Sequence, residues 1–139
     1  MILLDTNVVS APLRHSPEAC VIEWIDAQPL ETMYLSAITV AELRAGVAML
    51  PTGRRRKSLH ESVEKQVIPL FAGRVLPFDL GCTQPYSELM AKARKAGLAI
   101  SAADGYIAAI AAANGFIVAT RDTSPFKAAG VNVINPWEV

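Results

Sequence analysis

Four acidic residues stand where solvent is not the obvious destination of a charge: Asp5, Glu42, Asp104 and Asp122. Asp5 follows the apolar run Ile2-Leu3-Leu4 and precedes Thr6-Asn7, so a carboxylate arrives with a hydroxyl and an amide beside it. Asp122 repeats the arrangement after Ile117-Val118-Ala119, in Thr120-Arg121-Asp122-Thr123. Asp104 is the only charged residue between Ile100 and Arg121. Glu42, at helical spacing, shares a face with Ile38, Ala45 and Met49.

Each acid also has a plain structural explanation. Asp5 can cap a helix. Thr39-x-x-Glu42 fits a capping box, although Ser36 directly follows an apolar strand and is the better N-cap. That would put Glu42 in the second turn, where it cannot serve the cap. Ser101-x-x-Asp104 is another capping pair, and an acid near a helix N-terminus gains from the dipole. Turn chemistry accounts for Asp122. Taken singly, Asp5 and Asp104 stay open between capping and chemistry.

Together the four say more. Carboxylates held within a few ångströms repel, and one would normally take a proton. A divalent cation removes that cost, and an oxygen-only donor set suits Mg²⁺ or Mn²⁺ rather than zinc. His15 and His60 are poorly placed to act as bases. Metal-assisted chemistry on a phosphate ester is the reaction class that needs this set and little else.

The elements that must position these acids are readable from pattern. Short apolar strands are expected at 2–4, 33–35, 74–78, 116–119 and 131–134. A helical turn is expected over 8–13, then a helix over 18–27 with Ser16 as N-cap and Pro17 at its first position. A helix over 37–50 places Ile38, Ala41, Ala45, Ala48 and Met49 on one stripe. Another over 54–68 carries Leu59, Val63 and Val67 at fourfold spacing. Further helices are expected over 83–96, stopped by Gly97, and over 101–114, stopped by Gly115. The last is apolar nearly all round and should be buried. Strands alternating with helices predict an α/β fold with a mostly parallel sheet of four or five strands and helices on both faces. Ligands in such sheets collect outside the carboxyl ends of the strands. Both Asp5 and Asp122 should point to that edge.

At 139 residues, one domain spanning 1–139 is expected, with a core large enough to need no staples. The 52% hydrophobic share argues against disorder. No apolar run reaches the roughly 18 residues of a membrane span, and Asp5 interrupts the apolar start that a secretory leader would need. Cys20 and Cys82 have no CxxC partner, which points to a reduced, cytoplasmic setting without structural zinc. Thirteen basic residues balance thirteen acidic ones, so the overall field announces no nucleic-acid partner. Locally, Arg54-Arg55-Arg56-Lys57 and the Lys92, Arg94, Lys95 cluster fit either phosphate contacts or solvated helix faces.

Ile2-Leu3-Leu4-Asp5-Thr6-Asn7, Leu35-Ser36-Ala37-Ile38-Thr39-Val40-Ala41-Glu42-Leu43, Ala102-Ala103-Asp104-Gly105-Tyr106-Ile107-Ala108-Ala109 and Ala119-Thr120-Arg121-Asp122 resemble, in order and spacing, the motifs of PIN-domain ribonucleases. The length is that of the VapC-like toxins of toxin–antitoxin pairs. The FitB type is especially similar, through Leu70-Phe71-Ala72-Gly73-Arg74 and the terminal Asn135-Pro136-Trp137. The resemblance covers essentially the whole chain.

It implies that Asp5, Glu42, Asp104 and Asp122 form an acidic quartet holding one or two Mg²⁺ or Mn²⁺ ions, with Thr6 and Thr120 supporting the carboxylates. It implies hydrolysis of RNA phosphodiesters by metal-activated water, without use of the 2′-hydroxyl. It further implies a homodimer and inhibition by a small antitoxin, often of the ribbon-helix-helix type, that can insert a basic side chain into the site. The pair would bind operator DNA through the antitoxin. One departure stands out: many relatives carry an Asp where this chain has Pro125, which weakens the case for a second metal.

A different class of function is a dimeric, antitoxin-binding module of a DNA-binding complex with little or no nuclease activity. Its acidic cleft would be a socket for an Arg or Lys of the partner. Chelation separates the two, since it should abolish cleavage and leave such binding untouched. A phosphoaspartyl phosphatase using Asp5 fits poorly, because the second acid that chemistry usually needs falls at Asn7.

Overall fold

The computed structural model describes residues 1–139. Five strands form one sheet: β1 (Ile2–Leu4), β2 (Met33–Ser36), β3 (Val75–Leu76), β4 (Ile117–Ala119) and β5 (Val133–Ile134). Their spatial order is β3-β2-β1-β4-β5, and every pair is parallel. The order reverses direction at β1, so β1 and β4 flank the switch point where open α/β sheets form their ligand crevice. Leu4 is in register with Ala119. The residues that follow, Asp5 and Thr120, are therefore neighbours by construction.

Because successive strand residues face opposite ways, Leu3 and Leu4 enter different cores. Leu4, Leu35 and Ala119 pack with Val8, Val21, Leu43, Val47, Val63 and Phe71 on one side. Leu3 and Val118 pack with Leu89, Ile107, Ile110 and Phe126 on the other. Two helical layers thus clamp a sheet whose strands are only two to four residues long.

The first layer comprises α1 (Thr6–Val9), α2 (Ala19–Ala27), α3 (Ala37–Ala48), α4 (Arg54–Ser62) and α5 (Ile68–Leu70). The second comprises α6 (Leu80–Lys95), α7 (Ala102–Asn114) and α8 (Thr123–Ala128). Ser36 caps α3 by accepting a hydrogen bond from Thr39 N at 3.0 Å, as expected. Gly115 closes α7 in the left-handed conformation at φ 69°, which glycine adopts without a Cβ penalty.

Several boundaries differ from the sequence expectation. Ser16 and Pro17 stay outside α2, whose N-cap is Glu18, with no side-chain capping bond. Burial of Val21 in the core decides where that helix starts. On α3 the buried stripe is Thr39, Leu43 and Val47; of the expected Ile38, Ala41, Ala45, Ala48 and Met49, only Ile38 packs on a core, and Met49 is 78% exposed. The alanines suggested one face, and the larger Leu43 and Val47 side chains claimed another, as their greater buried area requires. The helix expected over 54–68 widens into a π-turn at Val63–Val67, where Ile68 N bonds back to Val63 O. Pro69 follows directly and has no N–H to continue an α-helical register. Leu59, Val63 and Val67 do pack on the core. Strand β3 is shorter than expected. Helix α6 starts at Leu80 rather than at the expected Thr83, since burial of Cys82 favours the earlier turn.

Candidate metal centre

Asp5 leaves β1 and immediately caps α1. Its Oδ1 accepts from Thr6 N at 2.8 Å. Its Oδ2 accepts from Thr120 Oγ1 at 2.8 Å and from Asn7 Nδ2 at 3.2 Å. Capping and site placement are therefore compatible, and the alternative posed by the sequence dissolves. The side chain is 5% exposed.

Thr120 is fully buried at the end of β4. Its single proton goes to Asp5, so its oxygen serves as acceptor for Asp122 N at 3.1 Å and Asn7 Nδ2 at 3.4 Å. Asn7 Oδ1 in turn accepts from Arg121 N at 3.2 Å. One hydroxyl and one amide thus tie the β1 edge to the turn that carries Asp122.

Glu42 is exposed, not embedded among Ile38, Ala45 and Met49 as the helical spacing suggested. Rotation of the core stripe to Thr39 and Leu43 swings it out over α1. There Thr6 Oγ1 donates to Glu42 Oε1 at 2.7 Å. Thr6 and Thr39 hydroxyl oxygens lie 3.2 Å apart; with the Thr6 proton committed to the charged oxygen, Thr39 is the donor. Ser36 Oγ donates to Thr39 at 3.3 Å. A directed relay of Ser36, Thr39 and Thr6 therefore ends on the Glu42 carboxylate. Thr39 was not anticipated as part of the site, because its role as a buried polar residue appears only once α3 is oriented.

Asp104 lies in the first turn of α7, half-buried, and Ser101 Oγ accepts its backbone N–H at 3.2 Å. Asp122 is exposed at the N-cap of α8, with no side-chain capping bond. The four acids reach the site from β1, α3, α7 and the β4–α8 turn. They line a single cleft of about 310 Å³ together with Thr6, Asn7, Ser10 and Arg14. No apolar side chain, His or Cys lines it. Arg14 was not foreseen as a site residue; it directly follows the 3₁₀ turn at Ala11–Leu13, which lies within the helical turn expected over 8–13.

The electrostatics follow from this crowding. Burial pushes the Asp5 carboxyl from 3.8 up to about 6, opposed by the Thr120 and Thr6 hydrogen bonds and reinforced by the Asp104 and Glu42 charges. Burial also raises Asp104, aided by the charges of Asp122 and Glu42 and opposed by Ser101. No three acidic, histidine or cysteine side chains close into a ready-made ligand cluster. The carboxylates instead ring an open cleft, an arrangement that limits their mutual repulsion. The oxygen donors lining it, carboxylates, hydroxyls and the Asn7 amide, fit a hard divalent cation.

Comparison with known proteins agrees with this geometry. The PIN-domain family model matches residues 2–132. The plasmid stability protein StbB of Pseudomonas syringae pv. tomato is 67% identical, and VapC ribonuclease Y4jK of Sinorhizobium fredii is 59% identical, each over 99% of both chains. Toxin FitB of Neisseria gonorrhoeae is 55% identical over 99% of both chains. A chain in the structure of FitAB bound to an IR36 DNA fragment superimposes with a TM-score of 0.96 at 53% identity, covering 100% of this chain and 97% of that one. The all-parallel sheet, the acid-lined switch point and these matches together place the chain in the PIN-domain family, among the VapC and FitB proteins.

Proposed function

We propose that the chain is a Mg²⁺- or Mn²⁺-dependent endoribonuclease and the toxin of a toxin–antitoxin pair. The observation that carries this reading is the convergence of Asp5, Glu42, Asp104 and Asp122, from four separate elements, on one polar cleft at the switch point of the sheet. The four carboxylates would hold the cation. When bound, it supplies the positive charge and Lewis acidity that activate water toward a phosphodiester.

The chain's own groups prepare that site. Thr120, Asn7 and the Thr6 N–H saturate the Asp5 oxygens and fix their direction. The relay through Thr39 and Thr6 orients Glu42. The Asp5 and Asp104 carboxyls are raised above the ordinary carboxylate range, and their ionisation would be favoured by a divalent cation held between them. Pro125 offers no ligand, so the site favours one cation over two.

The relatives support the partner assignment: one is named a VapC ribonuclease, another a toxin, and FitAB has been seen on DNA. We further propose that the protein works in the cytoplasm as a homodimer. A small antitoxin, of ribbon-helix-helix type, silences it, and operator DNA is reached only through that complex. No helix is long and apolar enough to cross a membrane.

A second reading keeps the cleft as a socket for a basic side chain of the antitoxin, with little catalysis; its volume of about 310 Å³ leaves room for one. The deciding experiment is cleavage of single-stranded RNA with Mg²⁺ and with EDTA, beside antitoxin binding under the same conditions. Metal-dependent cleavage supports the nuclease. Chelation-indifferent antitoxin binding with no cleavage supports the socket.

A further inference from the structure

The acidic cleft is the middle of a longer trough. On one side it shares Thr6, Ser10, Arg14 and Glu42 with a cavity of about 280 Å³ that runs between α1, α3 and α4. On the other it shares Asp104 and Asp122 with a cavity of about 210 Å³ that runs along the start of α7 and α8. The two arms differ in charge. The first carries Arg14 and Arg55 over a floor that includes Leu43, Val47 and Leu59. The second contains no cation; beyond the shared acids its polar side chains are Ser101 and Ser124.

Arg14 and Arg55 are exposed, and neither has a carboxylate within salt-bridge distance. The ion pairs of the molecule are Arg44 with Glu64, Lys65 with Glu61, and Arg121 with Glu18. Of the basic run, only Arg55 lines the trough; Arg56 and Lys57 line, with Arg44 and His60, an adjoining cavity on the far side of Val47 and Val63. Helical spacing divides the run into two jobs.

A polyanion approaching four carboxylates is repelled unless positive charge stands beside them. Free guanidinium groups on one arm supply it, and their fork geometry suits phosphate oxygens. We propose that, in the nuclease proposed above, the single-stranded RNA lies along this trough and Arg14 and Arg55 bind the phosphates on one side of the scissile bond. Binding is then lopsided: the nucleotides on the cationic arm set affinity, and those on the hydroxyl arm contribute little. Arg14, which borders both the cleft and the arm, holds the phosphate next to the reacting one. Arg55 holds one farther out and takes no part in the chemistry.

The test uses the full chain, Arg55→Ala and Arg14→Ala/Arg55→Ala variants, and Lys95→Ala as a charge-matched control outside the trough. Labelled single-stranded RNA binding is measured on an Asp104→Asn background across a salt series, and steady-state cleavage on the active background. For Arg55→Ala the expected result is a KM rise of about tenfold with kcat held, the scale of losing a charge-assisted hydrogen bond to phosphate. For the double variant the salt-dependence slope of binding should shrink by about 1.4, at about 0.7 per phosphate contact on a single strand. Melting temperature and Lys95→Ala behaviour should match the unmodified background. Unchanged KM and unchanged slope overturn the proposal. So does loss of antitoxin binding with RNA binding intact, which would assign the arm to a protein partner. A wild-type chain that cleaves no RNA sinks the nuclease reading instead, and the salt series then decides the arm by itself.

Discussion

Thr120 donates its hydroxyl proton to Asp5 at 2.8 Å, although 115 residues separate them. The contact follows from strand register: β1 and β4 pair with Leu4 opposite Ala119, so the next residue of each strand meets at the sheet's carboxyl edge. A buried threonine there is more than filler. It stabilises the ionised form of a buried acid and, through Asp122 N, fixes the turn bearing a second one.

Thr120→Val keeps the shape and removes the hydroxyl's bonds with Asp5, Asp122 N and Asn7. We expect Mg²⁺ affinity, measured by calorimetry, to fall by about 10- to 100-fold, the usual effect of removing a group that orients a ligand. Secondary structure by circular dichroism should be retained.

The buried Asp5 carboxyl sets a pH dependence whose sign can be worked out. Its carboxyl titrates at about 6 in the fold against an ordinary 3.8. Between those values the folded state binds more protons than the unfolded chain, so stability falls as pH rises through the window. The cost is fully present above about pH 6 and amounts to about 3 kcal/mol at 1.36 kcal/mol per pH unit. In EDTA, urea denaturation of Asp5→Asn should therefore show a shallower decline from pH 4 to pH 7 than wild type. Asp104, raised in the same direction, leaves some decline behind. Stabilisation by Mg²⁺ should grow over the same window in wild type and be lost in Asp5→Asn.

Gly105 lets α7 lie close against α6. A Cβ there would meet Met90 Sδ at 3.0 Å and Tyr86 Cε2 at 3.1 Å. Tyr86 is held in turn by stacking on Tyr106, with ring centroids 5.0 Å apart. Gly105→Val should destabilise by about 2 kcal/mol, within the range for overpacking, read from the chemical-denaturation midpoint. It should also weaken RNA cleavage, since α7 carries Asp104.

The sequence was most legible where pattern and position agreed. Apolar triplets ending in Asp or Thr marked β1 and β4, and the Ala-rich stretch behind Asp104 marked a buried helix. Ser36 was readable as a cap because it ends a strand. Helix orientation was harder to read. On α3, small alanines diluted the hydrophobic period, so the Thr39-Leu43-Val47 face was hidden until packing chose it. Glu42 was consequently singled out on the wrong ground: it is exposed over α1, not embedded in an apolar face. Non-local partners were not legible either. Nothing in the local sequence foretells that Thr6 serves Glu42, or that Arg14 and Arg55 share an arm of the trough. Those contacts come from tertiary placement across α1, α3 and α4.

The most direct test of the account is single-turnover cleavage of single-stranded RNA by wild type and Asp104→Asn, with EDTA and with Mg²⁺ titrated back. The account predicts no cleavage in EDTA, cleavage restored by Mg²⁺ or Mn²⁺, and no cleavage by a folded Asp104→Asn protein. Cleavage that survives chelation, or Asp104→Asn cutting at the wild-type rate, would contradict it.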